Sequence, residues 1–478
     1  MSNGLWTAFE AAAATGGALC ARGGTSDEWI AEEWSAGGVS IDTRSLKPGD
    51  IFVALRDARD GHEFITNAFA AGASAALVAR APDNAPDGAP LLVVGDTLEG
   101  LRDLAAAARE RNFGRRIAVT GSAGKTSTKE ILRCMLGASG GVHAAEKSFN
   151  NHWGVPLTMA SLPMRADYGV FEIGMNHAGE ITPLTKLVRP HAAIVTTVAP
   201  AHLEFFDSVE AIARAKAEIF DGLAPGGVAI LPIDNPYFEL LKTRAQEAGA
   251  ASFISFGESD DADFQLASYE AKDDGAQITA RIKGNVREFH FGAPGRHQAC
   301  NMLAGLAAVD AVGASLDNAI TAIASLRAGA GRGARVKVSL PNGDAQLIDE
   351  SYNANPASMA ASIGLLGSSP CAGRRIAILG EMLELGSDGP ALHAQIAEQL
   401  IEHKIDLVFA AGPLMDFLWE KLPGEMRGLK AGSAVDLVGP VLEAIAPGDV
   451  AMVKGSNASK VSAVAAALSQ TSSREENA

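Results

Sequence analysis

The chain has few cysteines and none of the patterns in which cysteines usually act together. Its 478 residues include four cysteines, Cys20, Cys134, Cys300 and Cys371, which are scattered and form no CxxC pair. This spacing excludes a disulfide framework and a cysteine-rich zinc site. A reducing compartment is the simplest expectation, and the sequence therefore predicts a cytoplasmic protein.

Positive charge and long apolar runs are also in short supply. Lysine and arginine number 40 against 56 aspartates and glutamates, which gives a net charge of -16. An acidic surface repels nucleic acid and anionic membranes, so neither is an expected partner. No apolar run is long enough to span a bilayer, and residues 1–6 do not resemble a secretion signal. Anionic substrates would therefore need local basic pockets, and lysines in glycine-rich loops become the first candidates.

What the chain does contain is a repeated alternation of apolar strands and alanine-rich helices. Such alternation predicts an α/β fold, with a parallel, doubly wound sheet in the middle of the chain. Its length suggests about three domains. Placing boundaries before the strand at 117–120 and at the glycine-rich stretch 328–333 predicts domains at 1–111, 112–328 and 329–478. The polar tail from about residue 470 is expected to be disordered.

A glycine-rich turn between a strand and a helix is the sharpest motif. Residues 121–126 read Gly-Ser-Ala-Gly-Lys-Thr. Glycines let backbone N–H groups converge on phosphate oxygens, Lys125 adds a positive charge, and the Thr126 hydroxyl can hold Mg²⁺. The loop is shorter than the common GxxxxGK[ST] form. The alternative is an ordinary strand-to-helix turn, but the strand before it and the helix after it favour a phosphate loop.

A carboxylate and an imidazole follow two later strands. Glu172 and His202 are predicted at the carboxyl ends of strands, where ligands of parallel sheets bind, and together they could hold Mg²⁺. Taken singly, each is more often a structural cap or a hydrogen-bonded polar group. Lys216 lies in a helical stretch and, from the residues alone, is expected to be a solvated lysine.

Three polar segments beside predicted strands or helices are further candidates. Residues 295–301 precede a helix predicted from Asn301 to Gly313, and Asn301 is either its cap or a base contact. Residues 349–356 follow a strand and could form a binding loop or an Asx-turn. Residues 454–457 carry basic and hydroxyl groups that suit an anion. Residues 380–386 could be a simple connection between a strand and a helix.

Several of these motifs, in order along nearly the whole chain, resemble the Mur ligase family. They begin at Ser40–Arg44, continue through 48–55 and Asp60–His62, and end at Lys454–Ser456. The pieces Ser351–Pro356 and 381–386 resemble the member that joins UDP-N-acetylmuramoyl-tripeptide to D-alanyl-D-alanine. Departures occur at residues 56–60, which lack an expected glycine, at Glu350, where aspartate is common, and after Ser456.

The resemblance implies a small N-terminal α/β domain that binds the UDP-sugar, a central P-loop ATPase-like domain and a Rossmann-like C-terminal domain. Its implied cofactors are ATP, two Mg²⁺ ions and a carbamylated Lys216. ATP would contact Gly121, Ser122, Ala123, Gly124, Lys125, Thr126, Ser127, Asn301, Arg332, Asp349 and Glu350. The metal ligands would be Thr126, Glu172, His202 and the Lys216 carbamate. Substrate residues would be Ser40, Thr43, Arg44, Asn150, Asn151, Asn353, Asn355, Lys454 and Ser456.

The expected reaction activates the tripeptide carboxylate as an acyl phosphate, which the amine of the dipeptide then attacks. Lys125, His202 and Lys216 are the expected catalytic residues, and a monomer is the expected state. Two alternatives remain open. One is a sister ligase that adds a single amino acid to a muramyl peptide or glutamate to folate. The other is a non-catalytic P-loop nucleotide-binding protein, which would need the loop but not Glu172, His202 and Lys216 together.

Overall fold

The computed structural model describes residues 4–21, 34–272 and 274–471. Its N-terminal segment, up to residue 111, is a small α/β unit. The main sheet has the strand order β2-β7-β6-β5-β4 and is parallel except for the β2–β7 pair. The strands are β1 Trp6–Thr7, β2 Ala18–Ala21, β3 Ser35–Ala36, β4 Gly38–Ser40, β5 Asp50–Val53, β6 Ala75–Val78 and β7 Pro90–Val93. The helices are α1 Ala8–Thr15, α2 Ile65–Ala70 and α3 Thr97–Arg111.

The central segment, residues 112–328, is a nine-stranded sheet flanked by helices. Its strand order is β16-β15-β14-β13-β12-β11-β8-β10-β9. The strands are β8 Arg115–Thr120, β9 Val142–Ala144, β10 Tyr168–Glu172, β11 Ala192–Val195, β12 Val228–Pro232, β13 Ser252–Gly257, β14 Phe264–Lys272, β15 Gly275–Ile282 and β16 Asn285–Phe291. The helices are α4 Lys125–Gly137, α5 Gly154–Ala160, α6 Ile181–Val188, α7 Val209–Ala217, α8 Phe238–Glu247, α9 Arg296–Ala311 and α10 Leu316–Ile323.

The order of the central strands creates a ligand crevice. β8 lies between β10 and β11, so the chain moves to one side of β8 and then to the other. A crevice forms at the carboxyl ends of the strands where the order reverses in this way. The strand residues of β8 from Arg116 to Thr120 are buried, as expected for a strand covered on both faces. The predicted parallel, doubly wound sheet is confirmed, and β14–β16 extend it with two antiparallel strand pairs.

The C-terminal segment, from residue 329, is a six-stranded sheet with the order β17-β18-β22-β19-β20-β21, parallel except for β17–β18. The strands are β17 Ala334–Leu340, β18 Gly343–Glu350, β19 Arg375–Gly380, β20 Leu407–Ala411, β21 Arg427–Ala431 and β22 Val450–Lys454. The helices are α11 Pro356–Ser368, α12 Gly389–Glu402, α13 Met415–Lys421, α14 Val438–Ala444 and α15 Ser462–Thr471.

Some element boundaries differ from the sequence predictions. α9 begins at Arg296, because the chain turns at Gly295 with a φ of 106°, and it ends at Ala311. Asn301 therefore lies inside the helix, and the prediction that it caps the helix is wrong. α15 runs to Thr471, just past the predicted start of the tail, and residues 472–478 lie outside the described ranges. Within those ranges no helix is long and apolar enough to cross a membrane.

Candidate active site

A cavity of about 590 Å³ lies between the central and C-terminal segments. It brings together most of the site residues that were predicted from the sequence. From the central segment it is lined by Ser122, Ala123, Gly124, Lys125, Thr126, Ser127, Asn150, Glu172, His202 and Asn301. From the C-terminal segment it is lined by Arg332, Glu350, Asn353, Asn355 and Lys454. The site is thus shared between two segments whose hydrophobic cores are separate.

The phosphate loop connects the end of β8 to the start of α4, and two glycines make its shape. Gly124 has a φ of 82°, a conformation that side chains rarely adopt. A Cβ atom at Gly124 would lie only 2.7 Å from Oδ1 of Asn301, and one at Gly121 would clash with Thr196. The loop therefore folds tightly against α9, with the N-terminus of α4 facing the cavity, which suits an anion.

Lys125 supplies positive charge at this helix terminus. Its Nζ donates a 2.7 Å hydrogen bond to the Gly121 carbonyl across the loop. Burial lowers the pKa of Lys125, and nearby Arg332 acts in the same direction, while the carboxylate of Glu172 opposes both. A cation from each segment therefore faces the same part of the cavity, which favours an anionic ligand between them.

Glu172, at the end of β10, is a carboxylate held by three side-chain hydrogen bonds. Its Oε2 accepts a 2.7 Å hydrogen bond from Thr126, and its Oε1 accepts bonds from Ser148 at 2.7 Å and Asn150 at 2.8 Å. Burial alone would raise the pKa of Glu172, but the charge of Lys125 and these three hydrogen bonds hold the pKa below its ordinary value. The carboxylate is therefore ionised and pointed at the phosphate loop.

His202 reaches the cavity from the loop after β11 and contacts the C-terminal segment. Its backbone is left-handed, with a φ of 58°, and its Nδ1 lies 2.6 Å from Oε2 of Glu384. Burial lowers the pKa of His202, and Lys125 and Lys216 add to this effect, while Glu384 opposes it. Within the described ranges, no three His, Cys, Asp or Glu side chains converge on a metal-sized site.

Lys216 lies on the buried face of α7, so the expectation of a solvated lysine is wrong. The residue is 2% exposed. Burial lowers its pKa well below the ordinary lysine value, and Lys125 lowers it further. Among the described residues, neither a hydrogen-bond acceptor nor a counterion contacts its Nζ. A buried ammonium without a counterion is costly, so burial shifts the equilibrium of Lys216 toward the neutral amine.

A direct hydrogen bond from Asn355 joins the C-terminal segment to the phosphate loop. Nδ2 of Asn355 donates to the Ser122 carbonyl at 2.9 Å, while the Oδ1 of Asn355 caps α11. Lys454 donates to the Asn353 carbonyl at 3.0 Å, and its Nζ lies 3.7 Å from Glu350. The guanidinium of Arg332 lies 3.8 Å above the ring of Tyr352, a cation–π contact that fixes its direction.

Other nominated residues lie outside the cavity lining. Ser40, Thr43 and Arg44 are in the N-terminal segment, where Arg44 pairs with Asp42 at 2.7 Å and is largely exposed. Asn151 accepts a hydrogen bond from the Gly154 amide at the start of α5.

Two further residues hold the backbone around the site. Asp349 accepts from the Gly331 amide at 2.8 Å, beside Arg332. Ser456 accepts from the Leu383 amide at 2.9 Å and lies 3.4 Å from the Ala354 carbonyl. Both therefore support loops that reach the cavity, although neither lines it.

Sequence reasoning did not nominate several residues that the structure places at the site. Ser148 completes the hydrogen bonding of Glu172, Tyr352 stacks on Arg332, and Glu384 contacts His202. Ser148 could have been suspected from its position two residues before Asn150. Glu384 lies in 381–386, a segment that carries part of the family resemblance, but nothing in that segment pointed to a contact with a residue 182 positions away.

Comparison with known families supports what the geometry indicates. Residues 119–309 match the Mur ligase middle domain, and residues 331–457 match the Mur ligase glutamate ligase domain. The chain is 34% identical over 431 residues to the UDP-N-acetylmuramoyl-tripeptide–D-alanyl-D-alanine ligase of Bacillus subtilis, covering 89% of this chain and 91% of that protein. Identity to the enzyme of the same name from Escherichia coli is 37%, covering 78% and 81%.

Solved structures agree over nearly the whole length. The crystal structure of MurF from Acinetobacter baumannii superposes with a TM-score of 0.83 at 28% identity, covering 97% of this chain and 99% of that chain. MurF from Thermotoga maritima in complex with ADP superposes with a TM-score of 0.77 at 26% identity, covering 92% and 98%. The phosphate loop, the carboxylate beside it and the shared cavity thus occur within a full-length family match, and the chain belongs to the Mur ligase family.

Proposed function

We propose that this protein is an ATP-dependent ligase that joins D-alanyl-D-alanine to UDP-N-acetylmuramoyl-tripeptide through an acyl phosphate. The product would be the pentapeptide precursor of peptidoglycan. The observation that carries the proposal is the shared cavity, in which Lys125 and Glu172 of one segment face Arg332 and Lys454 of another. Both close relatives described above carry this activity in their names.

The residues of the phosphate loop fit ATP. The glycines allow the backbone to approach phosphate oxygens, and Lys125 and Arg332 provide charge for them. In the C-terminal segment, Oε1 of Glu350 is buried and has no hydrogen-bond partner among the described residues. An orphaned acceptor of this kind suits a ligand hydroxyl or amine. We assign Glu350 to the nucleotide on this basis, and Asn301 because it lines the cavity beside Gly124. Asp349 would contribute by holding the Gly331 amide next to Arg332.

The residues beside the loop also fit Mg²⁺. Mg²⁺ prefers oxygen ligands, and the Thr126 hydroxyl and the Glu172 carboxylate already lie 2.7 Å apart. His202 and a carbamylated Lys216 would complete the donor sets of two ions. When bound, the metal supplies charge neutralisation for the phosphate oxygens.

Carbamylation of Lys216 would resolve the electrostatic problem of its burial. A neutral amine can add to CO2 with loss of one proton, and the product is a carboxylate on the lysine arm. The lowered pKa of Lys216 favours the neutral amine, and the carbamate anion would lie near the positive charge of Lys125. The conversion places a buried anion beside the cation of Lys125, and burial tolerates such a pair better than an unpaired ammonium at Lys216.

The chemistry requires two anions to meet. The tripeptide carboxylate attacks the γ-phosphorus of ATP, and ADP leaves. Lys125 and Arg332 reduce the repulsion between the carboxylate and the phosphate because both cations face the cavity. The amine of the dipeptide then attacks the acyl carbon, and inorganic phosphate leaves as the amide forms. The closed cavity positions the reactants and excludes water from the acyl phosphate.

The remaining substrate groups are assigned by position. The UDP-sugar would bind the N-terminal segment through Ser40, Thr43 and Arg44, where the exposed Arg44 offers a guanidinium to a diphosphate. The peptide would extend toward Asn150, Asn151, Asn353 and Asn355, with Lys454 and Ser456 behind them. We further propose that the protein acts as a monomer in the cytoplasm, where ATP is available. All four cysteines are free, in agreement with a reducing compartment.

Sister ligases remain the second candidate, because they share the fold. Folylpolyglutamate synthase of Mycobacterium tuberculosis superposes with a TM-score of 0.60 at 18% identity, a likeness of fold alone. The cheapest discriminating experiment is phosphate release with ATP, Mg²⁺, UDP-N-acetylmuramoyl-tripeptide and D-alanyl-D-alanine, each omitted in turn. Full release should require all four. Release that ignores the dipeptide, or that single amino acids support equally well, would contradict the proposal.

Substitution of Lys216 tests whether its carbamate is needed for activity. Lys216→Ala should lose activity by about 100-fold or more, and short carboxylic acids should restore part of it by replacing the carbamate anion. Lys186→Ala on α6 is the control and should retain activity in the absence of added acid. If Lys216→Ala is inactive and no carboxylic acid rescues it, the carbamate assignment is wrong.

A further inference from the structure

Two strained loops meet where the central and C-terminal segments touch. His202 and Glu384 are both non-glycine residues in left-handed backbone conformation, with φ of 58° and 61°. Such a conformation is uncommon outside glycine, although asparagine, aspartate and histidine adopt it more often than other residues, and it costs free energy, here most at Glu384. The two residues lie on different segments and contact each other directly, so the same contact joins both strained positions.

The contact has a side-chain and a backbone component. Nδ1 of His202 lies 2.6 Å from Oε2 of Glu384, and the Glu204 amide donates to the Glu384 carbonyl at 3.2 Å. Gly386 packs so closely that a Cβ there would lie 3.3 Å from the Cα of Glu204. Leu203, between these residues, packs against the hydrophobic core of the C-terminal segment. Together these contacts form a latch between the two segments.

The carboxylate of Glu384 determines which nitrogen of His202 is available to the cavity. An ionised carboxylate only accepts hydrogen bonds, so Nδ1 must carry the proton. The other ring nitrogen, Nε2, is then left with its lone pair in an imidazole that lines the cavity. Because Glu384 belongs to the C-terminal segment, this arrangement exists only while the two segments are in contact.

We propose that Glu384 is a positioning residue that selects the Nδ1–H tautomer of His202 when the C-terminal segment closes. The closed state therefore presents an Nε2 acceptor beside Lys125, whereas the open state leaves the imidazole free to rotate and to exchange tautomers. Glu384 touches no reacting atom and acts through His202. The catalytic consequence rests on the proposed ligase function, whereas the tautomer itself does not.

Kinetics of three full-length variants test the proposal. Glu384→Ala removes the acceptor, and kcat should fall about 10- to 100-fold, the usual range when a group that orients a ligating histidine is lost. The KM for ATP should stay within about twofold, because the phosphate loop is untouched. Glu384→Gln keeps an acceptor oxygen and should restore kcat to within about threefold of the unmodified protein.

Lys404→Ala is the matched control for backbone strain. Lys404 is an exposed residue of the same segment with a φ of 53°, so its replacement imposes a similar backbone change without touching the latch. It should leave kcat unchanged. If Glu384→Ala keeps the unmodified kcat, or if Glu384→Gln is as impaired as Glu384→Ala, the positioning role is overturned.

The tautomer can be measured without turnover and without any variant of Glu384. Long-range proton–nitrogen spectra of the histidine-labelled full chain, at about pH 8 where imidazole is neutral, distinguish the two tautomers. The His202 signal, assigned by its absence in His202→Asn, should show a protonated Nδ1. A protonated Nε2 overturns the proposal even if the ligase assay succeeds. A protonated Nδ1 supports it even if the protein proves to ligate a different peptide.

Discussion

The central segment contacts its two neighbours through different chemistry. With the N-terminal segment it shares one hydrophobic cluster, in which Trp6 and Leu101 pack with Val155 and Met159. The indole Nε1 of Trp6 also donates to the Ala160 carbonyl at 2.9 Å. With the C-terminal segment the contact is mainly polar and surrounds the cavity.

The difference indicates which contact can open. Separating the first would expose fully buried apolar side chains, at about 25 cal/mol for each Å² returned to water. Separating the second exchanges hydrogen bonds for water, which costs about 1 kcal/mol for each bond. The first two segments should therefore move as one body, while the third opens and closes over the ATP site. Under the proposed function, the reaction takes place at the contact that is easier to break.

The largest effect on activity is expected at the polar contact between the central and C-terminal segments. Lys125→Met should lower kcat about 1,000-fold, because the phosphates lose the cation at the start of α4. Removal of a buried charge held mainly for its ligand should leave the melting temperature close to that of the unmodified protein. Phosphate release and thermal unfolding measured together check both statements. Near-normal kcat would refute the role of the loop.

A comparably large effect on stability is expected at the apolar contact between the N-terminal and central segments. Trp6→Ala should reduce the free energy of unfolding by about 3–5 kcal/mol, because it leaves a cavity between two segments. The variant that remains folded should keep its kcat. Phe113→Ala is the control, since Phe113 is 95% exposed and its replacement should change stability by less than about 0.5 kcal/mol. Equal melting temperatures for the two variants would contradict the shared core.

The phosphate loop and the sheet order around it were predictable from local sequence. The glycine spacing, Lys125 and the apolar run of β8 all lie within about ten residues of one another. The periodicity of the flanking elements predicts a parallel sheet. Glu172 followed from the same logic, because carboxyl ends of parallel strands share one edge. Because these features depend on residues that are close together in the chain, they can be predicted from the sequence alone.

Burial and contacts between segments were not predictable in this way. Lys216 has charged and alanine neighbours typical of a solvated helix, yet the packing of α7 leaves it 2% exposed. The bond between His202 and Glu384 depends on how two segments dock, and their local sequences contain no trace of it. The start of α9 was misplaced because the helix begins at a glycine turn rather than at a conventional capping residue.

A smaller effect tests whether one polar bond matters to closure. Asn355→Asp keeps the oxygen that caps α11 but replaces the donor to the Ser122 carbonyl with an acceptor. The melting temperature should hardly change, while kcat/KM for ATP should fall about fivefold to tenfold, as expected for one lost hydrogen bond. Ser315→Ala, which removes the cap of α10 away from the cavity, should show the opposite pattern. An unchanged kcat/KM in Asn355→Asp would remove this bond from the closing contact.

The smallest effect concerns charge at the end of the central sheet that faces away from the cavity. Nδ1 of His191 accepts a 3.0 Å hydrogen bond from the Arg116 amide, which requires the unprotonated nitrogen. Burial, helped by the charges of Arg116 and Arg115, lowers the pKa of His191 to about 4. The unfolded chain binds this proton near pH 6.5, so the stabilising contribution is complete above that pH and is lost as pH falls toward 4.

Partial exposure of His191 reduces the expected loss to about 1–2 kcal/mol. Urea unfolding between pH 7 and pH 4 should therefore show a steeper decline for the unmodified protein than for His191→Gln, whose amide oxygen can accept the same bond without titrating. Both proteins share every other titrating group, so only the difference between the curves is diagnostic. Parallel curves would show that this end of the sheet, like the apolar contact beside it, is insensitive to charge.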